Sequence, residues 1–234
     1  MTLADITTRV YFLTKTNSSS YANADLLISL NKAIERCVSL VMKADSRWQW
    51  DDTNQTDLPI ATATITSGQQ DYQLATSHLT IDRVEIKDSS GNWTALSQID
   101  QQELKGHDKI ALAEYQSTNG LPVEYDVVGG SIFLYPTPNY TQASSLKVYF
   151  TRPPVAYVLT ADLTDSTKVP GFNSLFHDLI PMHIAFDYAV VNGMQSANGY
   201  LANIQRMEQE LNDFYGLRNR DYQGRLTVSR DSNK

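Results

Sequence analysis

Hydrophobic positions recur at helical spacing over residues 2–14, where Leu3, Ile6, Val10 and Leu13 share one stripe and Thr2 with Asp5 resembles a capping pair. The run Asn17-Ser18-Ser19-Ser20 breaks that period. A stronger stripe follows over residues 24–44, with Asn23 as the expected N-cap and Leu26, Leu27, Leu30, Ile34, Cys37, Val38, Val41 and Met42 on one face. After Trp48 and Trp50 the period changes from helix to strand. Residues 60–65 are rich in β-formers, and Val84 and Ile86 alternate with charges before the turn residues 88–92. Val123, Tyr125 and Val127 alternate, Gly129-Gly130 supplies a two-residue hairpin turn, and Ile132, Leu134, Leu146, Val148 and Phe150 alternate again. Residues 97–115 interrupt the strands, and a short helix and loop are expected there. Ile132-Phe133-Leu134-Tyr135-Pro136 is apolar on both faces, so a second layer or a neighbouring subunit must cover it.

Arg152-Pro153-Pro154 ends the strand region, and residues 158–171 read as irregular. Helical period then returns with Phe172, Phe176, Leu179, Ile180, His183, Phe186, Ala189 and Val190, where Pro181 marks a kink or restart. A last helix over 197–215 aligns Tyr200, Leu201, Ile204, Met207, Leu211 and Phe214. The pattern predicts an α+β fold: an antiparallel helical bundle from the N- and C-terminal helices, an inserted antiparallel β-sandwich or barrel-like domain, and an extended C-terminal tail. The expected boundaries are 1–50 with 165–215 for the bundle, 51–164 for the β domain and 216–234 for the tail.

Charge sets that tail apart. From Gly216 onward five basic residues (Arg218, Arg220, Arg225, Arg230, Lys234) face two acidic ones, a net +3, while the rest of the chain carries −10. Tyr222, Leu226 and Val228 lie among the arginines as apolar anchors. A basic segment without core periodicity on an acidic body reads as a tail that orders on a partner surface. The body's charge argues against wrapping nucleic acid, since phosphate binding rests on lysine and arginine. No apolar run approaches the roughly 18 residues of a membrane helix, and the N-terminus lacks a signal-peptide layout.

Signatures of catalysis are not found. The sequence has no phosphate-binding glycine loop, nucleophile elbow, Cys-x-x-Cys pair or His-Glu-x-x-His helix, and no cofactor or metal is expected. Cys37 sits on an apolar stripe as a small core residue. His177 and His183 are spaced so as not to share a helix face, and no third ligand is evident. Asp162 and Asp165 are conceivable as paired carboxylates, but their Thr/Ser/Asp surroundings fit loop chemistry better. Trp48, Trp50, Trp93 and thirteen tyrosines would serve as core or interface residues, or as a platform for sugars or bases.

The order of several short blocks resembles the head-to-tail adaptor proteins of tailed bacteriophages, also called connector or tail tubular A-like proteins. The blocks are 47–50 (RWQW), 67–74 (SGQQDYQL), 82–86 (DRVEI), 120–125 (GLPVEY), 132–138 (IFLYPTP), 148–154 (VYFTRPP) and 169–172 (VPGF), and the resemblance spans roughly residues 1–215. It implies a non-enzymatic structural protein of the virion neck, assembled in the host bacterial cytoplasm. It further implies a ring of about twelve copies closed by heterologous contacts, bound to the portal protein above and a downstream tail or nozzle protein below. Packaged DNA would pass through the lumen without sequence-specific binding. The tail residues Arg218, Arg220, Tyr222, Arg225, Leu226, Val228 and Arg230 are the expected portal contacts. Two other functions remain open at this point: a tail or baseplate β-module that binds host glycan, and a tail-associated glycan hydrolase.

Overall fold

A computed structural model describes residues 1–45, 58–99 and 119–218. The fold is α+β, with four helices and mostly antiparallel strands, and no closed barrel is formed among the described residues. The chain divides into two compact units, Met1–Thr56 with Pro154–Lys234, and Asp57–Pro153.

In the first unit α1 (Leu3–Thr14) opens on a capping box in which the Thr2 hydroxyl accepts from the Asp5 backbone N–H and the Asp5 carboxylate accepts from the Thr2 N–H. Asn17 closes the following turn by accepting from the backbone N–H groups of Ser19 and Ser20. Helix α2 (Asn23–Ala44) begins one residue after Ala22, which makes no side-chain cap. Asn23 is therefore not the cap expected of it; its side-chain oxygen accepts the Tyr11 hydroxyl instead and ties α2 to α1. Helix α3 (Leu179–Val191) starts well after Phe172, following a 3-10 turn at Ser174–Phe176. Pro181 thus lies in the first turn of α3, where its missing N–H removes no helical hydrogen bond, and no kink is required. Helix α4 (Ala197–Arg218) continues past Tyr215, because the fully buried Tyr215 ring, whose hydroxyl accepts the Asn173 N–H, holds that turn in place.

One core joins these elements. Leu3, Ile6 and Val10 of α1, the α2 stripe from Leu26 to Val41, Ile180 and Ile184 of α3, and Ile204, Leu211 and Tyr215 of α4 belong to a single buried cluster. Helix α3 packs on α1, α2 and α4, and α2 also packs on α4. The segment 158–171, expected to be irregular, contains a 3-10 turn at Thr160–Thr164 and docks on the start of α1 through Leu3 N–H to Lys168 O and Ala4 N–H to Asp165 O.

In the second unit ten strands form two four-stranded sheets and one two-stranded ladder. The first sheet has the order β1 (Ile60–Ile65), β10 (Gln142–Thr151), β3 (Thr80–Lys87), β4 (Trp93–Ala95) and is antiparallel throughout. The second has the order β2 (Asp71–Gln73), β8 (Ser131–Tyr135), β7 (Glu124–Val128), β5 (Ser97–Gln98). Alternation selects the buried set: Val84, Ile86, Leu146 and Val148 from one sheet share a core with Tyr72, Tyr125, Ile132 and Leu134 from the other. Gly129 and Gly130 form the β7–β8 turn at φ 59° and 82°, the left-handed pair that a two-residue hairpin needs. Not every pairing is antiparallel. β5 pairs with β7, and β6 (Asn119–Gly120) with β9 (Thr137–Pro138), in parallel, because the chain returns to each partner after a long excursion rather than a tight turn. The interruption expected at 97–115 begins with β5; residues 100–118 lie outside the described residues, as do Trp48 and Trp50.

Two substitutions check this packing. Ile34→Ala, at a site about 2% exposed in the helical core, should lower the unfolding free energy by about 2–5 kcal/mol, read from the denaturant midpoint. Gly130→Ala meets no atom within 4 Å, so only its left-handed backbone is strained, and the loss should be about 1–2 kcal/mol.

Candidate interaction surfaces

The chemistry-bearing residues are mostly absorbed by the fold. Cys37 is fully buried, and desolvation pushes its thiol well above the usual range, which leaves it an inert core side chain. Asp162 accepts from Lys168 Nζ at 2.6 Å and from the Leu159 backbone, and the ammonium holds its carboxyl below the ordinary value. Asp165 accepts from the Thr167 hydroxyl and backbone at 2.7 Å each, with the same direction of shift. Both carboxylates hold a loop together, and neither is poised to retain a proton as a glycosidase acid must. His177 bonds through Nε2 to the Phe172 carbonyl at 2.7 Å and stacks edge-on against that ring. Among the described residues no group of three or more His, Cys, Asp or Glu side chains is placed to hold a metal ion, and no helix is long and apolar enough to cross a membrane.

Two open cavities stand out. One, about 610 Å³ within the β unit, is lined by Leu74, Thr76, His78, Leu79, Gln98 and Val127 among others, with no carboxylate in its wall among the described residues. His78 stacks on Phe150 at 3.8 Å, and desolvation lowers its pKa. The other, about 590 Å³, lies between the start of α2 and the end of α3, where Tyr21 and Tyr188 pack at 5.1 Å. Around it and elsewhere on the helical unit large apolar side chains are exposed: Val191 84%, Val158 78%, Leu175 73%, Phe12 71% and Ile28 68%. Sequence periodicity missed these residues because each falls off the buried stripe or outside a regular helix.

Aromatic residues separate by type. Tyr72, Tyr125, Tyr135 and Tyr215 are buried, but Trp93 is not a core residue: it lies on β4, 39% exposed, with Lys147 Nζ 4.0 Å from its ring centroid. That cation occupies an indole face that a sugar or base would otherwise stack on. The tail expected to bind the portal falls largely outside the described residues. Arg218 is the last residue of α4, and Arg220, Tyr222, Arg225, Leu226, Val228 and Arg230 lie beyond it.

Comparison with known families then identifies the owner of these surfaces. The family model for the SU10 adaptor protein matches residues 1–229. The chain belongs to the SU10 adaptor protein family. That membership agrees with the phage head-to-tail adaptor resemblance carried by the motif order, and it makes the protein a structural adaptor of a bacteriophage virion. No curated protein matches the chain. The match runs through both compact units of the adaptor and into the basic segment as far as residue 229.

One partly exposed polar cluster in the adaptor generates a pH prediction. Arg36 donates to both oxygens of Glu208 at 3.0 and 3.3 Å, and His183 Nε2 lies 3.3 Å from the same carboxylate without forming an aligned hydrogen bond. Burial depresses the His183 pKa, opposed by the Glu208 charge and reinforced by Arg36. The unfolded chain therefore binds this proton more tightly than the folded one. Stability is constant above the ordinary histidine pKa of about 6.5 and falls as pH drops below it. His183→Gln should flatten that loss between about pH 6.5 and 5 relative to wild type in urea melts, and an unchanged slope would place the titrating group elsewhere.

Proposed function

We propose that the adaptor assembles as a closed ring of about twelve copies beneath the portal, extending the DNA channel and offering a platform to the next tail or nozzle protein. The observation that carries this reading is the family match over residues 1–229, across both units. The exposed apolar side chains of the helical unit support it, since a lone subunit leaves them wet and neighbouring copies would cover them. Many repeated heterologous contacts make a stable ring from individually modest interfaces. The division of labour follows the two units: residues 1–56 with 154 onward build the helical body, 57–153 the β domain, so that 154–164, expected with the β domain, falls to the helical body, and the basic segment after α4 reaches the portal. Arg218, Arg220, Arg225 and Arg230 supply charged and bidentate contacts, and Tyr222, Leu226 and Val228 anchor the segment in grooves. The acidic body, net −10 without the tail, lets DNA pass without sticking.

Deleting residues 219–234 tests the assignment of the tail. The truncated adaptor should melt like the full chain, because the sequence carries no hydrophobic core stripe there. Its binding to isolated portal rings should fall by at least about tenfold, equivalent to 1.4 kcal/mol. Substituting the four arginines together should weaken binding in a salt-dependent manner. Equal affinity of the truncated and full chains at the same salt would move the portal contact onto the folded body. Virion images with one or three copies, or with the chain on fibres, would overturn the ring.

A further inference from the structure

Among the described residues of the β unit the exposed positive charge is gathered on one side of one sheet. Four lysines and arginines occur among its described residues, and Arg152 is buried. The other three, Arg83, Lys87 and Lys147, all point away from the core on the first sheet, because each alternates with the inward residues Val84, Ile86, Leu146 and Val148. Trp93 and Tyr149 share that face by register, Trp93 opposite Lys87 and Tyr149 opposite Arg83. Lys147 and Lys87 sit 4.0 and 5.7 Å from the Trp93 ring centroid. Two carboxylates neighbour them: Glu85, engaged by Arg83 at 2.7 Å and by the Tyr149 hydroxyl at 3.1 Å, and Asp82 at the bulge beside Arg83, which accepts the Thr151 hydroxyl at 3.3 Å. An acidic protein thus gathers three cations on one sheet face around an exposed Trp and Arg and a half-buried Tyr.

We infer that this face of the first sheet docks on an acidic surface of a second copy of the adaptor. The inference rests on the ring reading, and it names the side of the β unit that faces a neighbour. Three observations favour a protein over DNA. Trp, Tyr and Arg are the residue types enriched at the energetic centres of protein interfaces. Three cations engage at most about three phosphates, too few for firm binding by a chain of net charge −7. The lysine over the indole also takes a face on which a base would stack. Charge complementarity then selects the second copy: outside its tail each copy carries −10, so a heterologous contact sets this cationic face against a different, acidic part of the neighbour. Four strands spaced about 4.8 Å apart and up to about 20 Å long present roughly 300–400 Å². That is about half of the 800 Å² that one partner contributes to a standard interface, a modest contact of the kind a closed ring multiplies.

The test uses full-length adaptor reconstituted on portal rings from equal parts of ¹⁴N and ¹⁵N protein and treated with a zero-length carbodiimide cross-linker. Mixed-isotope cross-links from Lys87 or Lys147 to Asp or Glu of another copy are expected. The combined variant Lys87→Glu/Lys147→Glu should keep the wild-type circular dichroism spectrum and reduce ring occupancy at limiting concentration by at least tenfold, with partial recovery in Lys87→Arg/Lys147→Arg. Rings that form normally with no inter-copy link from this face would overturn the inference while leaving the ring intact. Links from these lysines to portal, to the next tail protein or to DNA would also overturn it. Failure of the wild-type chain to form any ring would instead overturn the underlying ring reading.

Discussion

The structure depends on the burial of α2. Its apolar face, from Leu26 to Val41, meets α3 and α4, and α1 closes the same core through Leu3, Ile6 and Val10. Nine residues of this helix are buried, and Ile34, Cys37, Val38 and Val41 are essentially without solvent contact. Helix propensity alone would not hold a helix of this length against fraying; the packed stripe does. Polar contacts then fix the orientation rather than supply the bulk of the stability. Asn31 exchanges two hydrogen bonds with the backbone of Tyr157, at 2.8 and 2.9 Å, and Arg36 grips Glu208. Exposed pairs such as Lys32 with Asp187 contribute little by comparison.

Elements with a strong period were legible in the sequence. The α2 stripe, the Thr2–Asp5 capping box, the alternation through Val84 and Ile86, and the Gly129-Gly130 hairpin each follow from local chemistry that no distant contact overrides. What failed depended on partners that the sequence does not pair. Asn23 has the right residue type for a cap, yet Tyr11, twelve positions away, claims its side chain. The start of α3 was misjudged because Phe172 and Phe176 are buried by the irregular chain before the helix, which mimics helical period. Parallel pairing of β5 with β7 was hidden because direction depends on the path of the intervening chain.

The functional surfaces were legible in a different way. The resemblance to phage adaptors rests on the order of motifs spread along the chain, whereas the cationic face of the first sheet arises only when β3, β4 and β10 are brought side by side. Lys147 and Trp93 stand far apart in sequence and carry no shared motif. Strand register brings them within 4.0 Å of one another, measured to the ring centroid. Residues that looked chemically suggestive in sequence, such as Asp162, Asp165 and His177, are instead consumed in holding loops to the helical core.

The helical core draws on both ends of the chain, residues 3–41 and 163–215, with the whole β unit threaded between them. During synthesis at about 5–20 residues per second, α1 and α2 therefore wait on the order of ten seconds for the segments that cover them. Over that interval the α2 stripe is an exposed apolar surface on a nascent chain, while the β unit already holds everything its own core requires. Once residue 153 has cleared the ribosome, the described strands of the β unit are all free to pair while the helical pair still lacks α3 and α4.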